Sequence, residues 1–214
     1  MTMTIEKMLL DVGRQLVTSG LVAGTWGNIS GWDEERDGFW ITPSGMDYLT
    51  LQEADLVLLA KTGEKLSGIR KPSSEYLLHQ AIYQSRPEVL GIVHTHSVYA
   101  TAHAVARTAI PGIVEDMAQI VGGSVDVAEY AAPGTDQLAE AAVAALAGKD
   151  AVLLANHGLV GVGRTVAEAL RVCQVVEKSA QIHVMSRLIG TPLVLSDNEI
   201  NQMREGYLKY YGQH

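Results

Sequence analysis

The sequence predicts an α/β protein built on a layered sheet, and two observations carry this prediction. Segments with strand-like and helix-like patterns are mixed along the 214 residues, without the regular strand–helix alternation of a parallel βαβ fold. No G-x-G-x-x-G motif follows a predicted strand, which argues against a dinucleotide-binding domain. Because the chain shows no linker, repeat or charge block, we expect residues 1–214 to form a single domain.

The first part of the chain predicts one helix and two strands. Apolar residues have helical spacing over residues 3–18, and Ser19-Gly20 then supplies a typical glycine cap. A turn-rich loop follows over residues 24–28. Short apolar runs bounded by turn residues predict strands over residues 38–42 and 54–60.

The middle of the chain predicts a strand between two helices. Pro72 precedes a helix over residues 73–85, for which Ser73 is a suitable cap. An apolar strand over residues 89–96 leads into a second helix, which Ser97 caps and which runs to about residue 107.

The last third predicts three helices around one apolar segment. That segment, residues 150–162, is a long strand or a hairpin that is interrupted at Asn156-His157-Gly158. The helices show apolar residues at helical spacing and cover residues 135–146, 165–189 and 196–211.

Charge and hydropathy limit the partners and the compartment. With 16 Lys+Arg against 24 Asp+Glu, the formal net charge is −8, so nucleic acid and anionic membranes are not expected as partners. The longest apolar stretch is broken at Gly148-Lys149-Asp150, so no membrane-spanning segment is expected. The amino terminus lacks the pattern of a signal peptide, and we therefore expect a cytoplasmic protein.

Any metal site in this chain must use histidine and carboxylate ligands, because the sequence has 7 histidines and only 1 cysteine. In Val93-His94-Thr95-His96, the histidines lie at i and i+2, and alternate strand residues point to the same face. Two such imidazoles are half of a metal site, or else two ordinary hydrogen-bonding groups. His157, in the apolar sequence AVLLANHGLVGVG, needs partners for its ring nitrogens and is a candidate third ligand.

Glu75 is a candidate catalytic residue at the start of a predicted helix. It shares a helical face with the apolar residues Leu78 and Ile82, so its carboxylate should point inward. It could act as a general base or a fourth ligand, or only stabilise the helix dipole. The preceding serines, Ser73 and Ser74, add hydroxyls beside free backbone N–H groups, an arrangement that suits an anion.

Two small-residue loops are further candidates for an anion site. Gly27-Asn28 and Pro43-Ser44-Gly45 allow close backbone approach and offer polar side chains, although plain turns have the same composition. The remaining internal histidines and the cysteine are interpreted as structural: His79, His103, His183 and Cys173.

Taken together, these motifs resemble a known family. In chain order they are GTWGNIS, ITPSGMDY, KPSSEYLLH, VHTHSVYATA and LLANHGLVGVG. They are similar to the class II aldolase family, which includes L-fuculose-1-phosphate aldolase and L-ribulose-5-phosphate 4-epimerase. The resemblance runs from about residue 10 to the carboxyl terminus.

The resemblance implies a central, mainly antiparallel sheet covered by helices on both sides. It also implies a homotetramer with active sites at subunit interfaces. Each subunit would bind one divalent metal, most commonly zinc, with manganese or cobalt as alternatives. The implied ligands are His94, His96 and His157.

The implied substrate is a small phosphorylated sugar. Its phosphate would bind at Gly27, Asn28, Ser44, Gly45, Ser73 and Ser74. Glu75 matches the catalytic glutamate and would move a proton at the carbon next to the carbonyl, and Tyr211 would act at the aldehyde oxygen.

The implied reaction is metal-dependent cleavage of a ketose 1-phosphate, such as L-fuculose 1-phosphate, to dihydroxyacetone phosphate and an aldehyde. The bond breaks through an enediolate that the metal stabilises. Glu115-Asp116 stands where the fuculose-phosphate enzyme has a tyrosine, so the resemblance does not decide which aldehyde is released. The alternatives on this scaffold are a sugar-phosphate epimerase, a methylthioribulose-phosphate dehydratase or aldolase, and a non-catalytic module like that of adducin.

Overall fold

The computed structural model describes residues 3–210, which build one eight-stranded sheet. In chain order the strands are β1 (Asn28–Asp33), β2 (Gly38–Ile41), β3 (Val57–Ala60), β4 (Lys65–Ser67), β5 (Gly91–Thr95), β6 (Val127–Ala128), β7 (Ala151–Leu154) and β8 (Gly158–Gly163). Across the sheet their order is β4-β3-β2-β1-β5-β8-β7-β6. Only the pair β6–β7 is parallel, which confirms the prediction of a mainly antiparallel sheet.

The helices within residues 3–210 are α1 (Ile5–Thr18), α2 (Tyr76–Ser85), α3 (Val98–Ala106), α4 (Glu115–Ile120), α5 (Asp136–Leu146), α6 (Val166–Ile189) and α7 (Asp197–Tyr210). The helix predicted over residues 196–211 corresponds to α7, although its last predicted residue, Tyr211, lies outside the described part. In that part of the chain, no helix is long and apolar enough to cross a membrane.

The sheet is covered on both faces because successive strand residues point to opposite sides. On β5, Val93 belongs to a buried cluster with side chains of α1, α3 and α6. Its neighbour Ile92 belongs to a second cluster with side chains of α2 and α5. The prediction of a sheet with helices on both sides is therefore confirmed.

Glycines let α6 lie unusually close to the strands that carry the histidines. A Cβ on Gly91 of β5 would lie 2.4 Å from the backbone nitrogen of Val166, where α6 begins. A Cβ on Gly161 of β8 would lie 2.7 Å from Cys173 Sγ. The small residues thus set the distance between α6 and the two central strands.

Threonine side chains cap helices α5 and α6, whereas the predicted cap of α3 makes no such bond. Thr135 and Thr165 each accept a bond from a backbone N–H in the first turn of α5 and α6, at 3.3 Å and 3.1 Å. Ser97 stands at the cap position of α3 but makes no side-chain capping bond. Instead Glu177 of α6 accepts from the backbone N–H groups of Tyr99 and Ala100, at 2.9 Å and 2.8 Å.

Four elements were not predicted. Strand β1 lies at the centre of the sheet, but its sequence NISGWD has no alternating apolar pattern, and neighbours on both sides form it. The others are too short for a periodic signal: β4, β6 and α4 have 3, 2 and 6 residues.

Two predicted boundaries were wrong by three residues. Helix α2 begins at Tyr76 rather than Ser73, and Glu75 takes its cap position without a side-chain capping bond. The strand expected over residues 54–60 is shorter, because Glu53–Asp55 form a 3₁₀ turn. In that turn Asp55 accepts a hydrogen bond from the Gln52 backbone N–H at 3.1 Å, and the strand starts only at Val57.

Candidate metal centre

The structure brings the three predicted histidines and Glu75 into one cluster. His94 lies near the end of β5, His96 directly after it, His157 in the turn between β7 and β8, and Glu75 just before α2. One ligand atom from each of the four residues lies within 4.8 Å of the others. Within residues 3–210, these four side chains form the one group of histidine, cysteine or acidic residues that is arranged to hold a metal ion.

The turn after β7 places His157 against β5. Asn156 adopts a left-handed conformation with φ of 56°, which reverses the chain tightly before β8 begins. Two residues after Asn156, a Cβ on Gly158 would lie 2.2 Å from the Thr95 carbonyl oxygen. Glycine there lets β8 approach β5, and His157 therefore faces His94 with ring centroids 4.8 Å apart.

The three imidazole rings converge on a common centre. His94 Nδ1–H donates to the Leu159 carbonyl at 3.0 Å, which leaves His94 Nε2 facing the cluster. His94 Nε2 and His96 Nε2 are 3.0 Å apart, and the ring centroids of His96 and His157 are 4.9 Å apart.

Glu75 completes the donor set. Its Oε2 lies 3.3 Å from His94 Nε2, and its Oε1 lies 3.3 Å from His157 Nε2. Oε1 is buried and has no hydrogen-bond partner, which is costly for a carboxylate oxygen unless a cation or substrate contacts it.

The charge states also suit a divalent ion. Burial, with the neighbouring His94 ring, lowers the pKa of both His96 and His157 to about 4, so both rings are neutral at neutral pH. Burial raises the pKa of Glu75, but His94, His157 and the Asn28 amide outweigh it and hold that pKa well below its ordinary value. Three imidazole nitrogens and one carboxylate form a set that binds zinc, cobalt or manganese, so the residues fit such an ion.

The loops predicted to bind phosphate lie beside Glu75. Gly27 has φ of 82°, and a Cβ there would lie 2.6 Å from the His94 carbonyl oxygen, so its backbone packs directly on β5. An antiparallel bridge between Pro43 and Pro72 joins the two remaining loops. Ser73 is buried, and its Oγ accepts from the Glu75 backbone N–H at 3.3 Å.

Exposed small residues line these loops. Ser44, Gly45 and Ser74 are all exposed to solvent. The Ser44 backbone N–H already donates to the Lys71 carbonyl at 3.2 Å, so its hydroxyl is the group open to an anion. Asn28 is different, because its side chain is buried and donates from Nδ2 to Glu75 Oε2 at 2.9 Å.

A comparison with family models decides the relationship. Residues 7–184 match the model described as the class II aldolase and adducin N-terminal domain. The chain belongs to this class II aldolase family. The architecture agrees, since a solved L-fuculose 1-phosphate aldolase superposes with a TM-score of 0.93 at 37% identity, covering 97% of this chain and 98% of the other.

Two curated relatives in the same family have nearly the same length as this chain. A 5-deoxy-D-ribulose 1-phosphate aldolase from Bacillus thuringiensis serovar kurstaki is 37% identical, over 96% of this chain and 95% of the relative. A 5-methylthioribulose-1-phosphate/5-deoxyribulose-1-phosphate aldolase from Rhodospirillum rubrum is also 37% identical, over 94% of this chain and 90% of the relative.

Two further predictions concern the aldehyde part of the substrate. Tyr211, expected to act at the aldehyde oxygen, lies outside residues 3–210. Asp116 stands where the fuculose-phosphate enzyme has a tyrosine, and for this reason the resemblance does not decide the identity of the aldehyde product. In the structure Asp116 pairs with Lys178 of α6. Trp26 had no predicted role at the site, yet its exposed ring lies beside His96, with centroids 5.7 Å apart, and forms part of the rim of the site.

Sequence reasoning gave no functional role to three buried polar residues behind Glu75. Ser30 in β1 bonds both His79 and Tyr83 of α2, and His79 also bonds Asn28. The available signal was the i, i+4 spacing of Glu75 and His79, which places both on the inward face of one helix.

Proposed function

We propose that this protein is a divalent-metal-dependent aldolase that cleaves a ketose 1-phosphate into dihydroxyacetone phosphate and an aldehyde. The observation that carries the proposal is the cluster of His94, His96 and His157 around the free Oε1 of Glu75. The aldolase names of the relatives support the same reaction class.

The three histidines would hold the metal, and zinc is the proposed ion, with manganese or cobalt as alternatives. When bound, a divalent ion supplies Lewis-acid chemistry, which withdraws charge from oxygens of the substrate. The histidines are suited to this because the Leu159 carbonyl fixes the tautomer of His94 and burial keeps the other two rings neutral.

Glu75 would act as the acid–base group at carbon. In the condensation direction, Oε1 takes the proton from the dihydroxyacetone-phosphate carbon that attacks the aldehyde, and in the cleavage direction it returns that proton. This assignment rests on geometry, because Oε2 is held by Asn28 whereas Oε1 makes no hydrogen bond. A carboxylate that is ionised at rest is the form needed for a base.

The phosphate would bind at the adjoining loops. The proposed ligands are Gly27, Asn28, Ser44, Gly45, Ser73 and Ser74. Their position supports this, since the loop that bears Ser44 is bridged to the loop that leads to Glu75. One phosphate can bind such local hydroxyl and N–H groups although the chain is negative overall.

Assembly, compartment and tail are further parts of the proposal. The family resemblance suggests a cytoplasmic homotetramer of single-domain chains, in which active sites lie at subunit interfaces. The exposed Trp26 beside His96 supports an interface at the rim of the site, since large exposed apolar groups favour contacts. Tyr211 is proposed to act at the aldehyde oxygen.

The test is a substrate panel assayed with protein reconstituted with zinc, manganese or cobalt. We expect release of dihydroxyacetone phosphate from at least one of L-fuculose 1-phosphate, 5-deoxy-D-ribulose 1-phosphate and 5-methylthioribulose 1-phosphate. A His157→Asn protein should release none, whereas His183→Asn, which alters a buried histidine on α6, should behave like the wild type. Epimerisation of L-ribulose 5-phosphate or dehydration of a substrate without carbon–carbon cleavage would contradict the aldolase proposal.

A further inference from the structure

A continuous hydrogen-bond chain runs behind Glu75 into the core. Tyr83 OH and Ser30 Oγ are 2.8 Å apart, and Ser30 Oγ and His79 Nδ1 are 2.6 Å apart. His79 Nε2 lies 2.5 Å from Asn28 Oδ1, and Asn28 Nδ2 donates to Glu75 Oε2 at 2.9 Å. All five residues are at most 7% exposed. We call this series the Tyr83–Glu75 chain.

Chemistry gives every bond in the Tyr83–Glu75 chain one direction. An ionised carboxylate only accepts, so Asn28 must present its N–H to Glu75 and its carbonyl to His79. The Nε2 of His79 must therefore carry the hydrogen, and in a neutral ring Nδ1 is then an acceptor. Ser30 must donate to Nδ1, and its oxygen is left to accept from the Tyr83 hydroxyl.

The surroundings hold this arrangement in place. The ring of Tyr83 packs on Trp32 and Phe39, with centroids 5.3 Å and 5.1 Å away. His79 is fully buried, and burial lowers its pKa to about 3, so the ring stays neutral in the folded protein. The direction of one hydrogen bond also fixes the direction of the next. Reversing a single bond would place two acceptors or two donors opposite each other.

We propose that His79 is a positioning residue, which fixes the Asn28 amide so that Oε2 of Glu75 is anchored and Oε1 is presented to substrate. This inference rests on the proposed function, because it assigns the proton transfer to Oε1. Without the His79 donor, the Asn28 carbonyl has no partner, and the amide is free to move away from Glu75 Oε2. Glu75 then loses its anchor and the defined position from which Oε1 exchanges a proton.

The kinetic test compares His79→Phe with His79→Gln in metal-reconstituted protein. Phenylalanine keeps the ring but removes the donor, so we expect kcat to fall about 10- to 100-fold, as displacement of a catalytic group does. KM should change by a smaller factor than kcat, because the other proposed phosphate ligands keep their positions. Glutamine can place an N–H near the Nε2 position and should recover most of kcat. Metal content should equal that of the wild type in both.

Three further variants complete this series: Ser30→Ala, Tyr83→Phe and a control substitution at another buried histidine. Ser30→Ala should reduce kcat less than His79→Phe does, and Tyr83→Phe least, because each leaves the bonds nearer Glu75 intact. His183→Gln alters another buried histidine, whose ring bonds His103 instead, and should retain the wild-type kcat. Wild-type kcat in a folded His79→Phe protein, or a loss of kcat that follows loss of metal, would overturn the proposal.

A direct measurement keeps the inference testable without turnover. In ¹⁵N-histidine-labelled protein, the signals that disappear in His79→Gln identify the His79 ring, and a protonated nitrogen is distinguished from a bare one by its shift. We expect Nε2 to be protonated and Nδ1 bare, with or without metal. The opposite tautomer would overturn the inference even if the protein is an aldolase, whereas an inactive wild type with this tautomer would refute only the proposed function.

Discussion

Replacing Glu75 by glutamine separates proton transfer from metal binding at the candidate centre. The amide is nearly the same size as the carboxylate, and its oxygen can keep the bond from Asn28 Nδ2 that is 2.9 Å long in the structure. Its nitrogen would take the place of Oε1, 3.3 Å from His157 Nε2. The substitution therefore removes the basic oxygen and changes little else.

The expected magnitude follows from the assigned role. General acid–base catalysis by a placed side chain contributes about 10²- to 10⁴-fold, equivalent to roughly 3–5 kcal/mol of barrier. Because His94, His96 and His157 remain, we expect Glu75→Gln to bind one divalent ion per chain while kcat falls by about that factor. Glu88→Gln is the matched control, since Glu88 is an exposed carboxylate that pairs with Arg86.

The assay is dihydroxyacetone phosphate release under single-turnover and steady-state conditions, with metal content measured on the same samples. Exchange of deuterium from solvent into dihydroxyacetone phosphate should slow by a similar factor, because that reaction reports proton transfer at carbon alone. Undiminished cleavage and exchange by fully metallated Glu75→Gln would remove Glu75 from the proton-transfer step.

Three further predictions concern stability. Gly91→Ala should lower the free energy of unfolding by about 1–3 kcal/mol in urea titrations, because its Cβ would lie 2.4 Å from Val166 N; an unchanged midpoint would contradict this packing. Glu177→Ala should cost about 1–3 kcal/mol in the same assay, because two partly buried N–H groups at the start of α3 lose their acceptor. Metal-free protein should lose stability as pH falls from 6.5 toward 3, because the pKa of His79 drops from 6.5 unfolded to about 3 folded and the unfolded chain binds the proton first. His79→Gln should make this slope shallower by about 1.4 kcal/mol per pH unit, and an equal slope would refute the contribution of His79.

The candidate metal ligands could be predicted from sequence because each carries a local signal. His94 and His96 alternate at the end of an apolar strand, and His157 interrupts another apolar run. Strand periodicity alone then places the first two on one face. His157 comes close to these two histidines only because β5 pairs with β8. Local sequence patterns do not predict that pairing.

Strand β1 and the Tyr83–Glu75 chain could not be predicted for the same reason. Asn28 and Ser30 are polar residues in a strand without alternation, and their burial becomes favourable only when His79 satisfies them. His79 is 49 residues from Ser30 and 51 from Asn28, so nothing local links them. The sequence did indicate that Glu75 points inward, and the structure places it there at 7% exposure.

Metal stoichiometry measured together with turnover tests the central claim most directly. We predict one divalent ion per chain in purified or zinc-reconstituted protein, loss of dihydroxyacetone phosphate release on chelation, and recovery in proportion to the ion restored. His94→Asn should lose both the ion and the activity, while His183→Asn keeps both. Protein that binds no divalent ion on titration, or that cleaves ketose 1-phosphates equally well after complete chelation, would contradict the account.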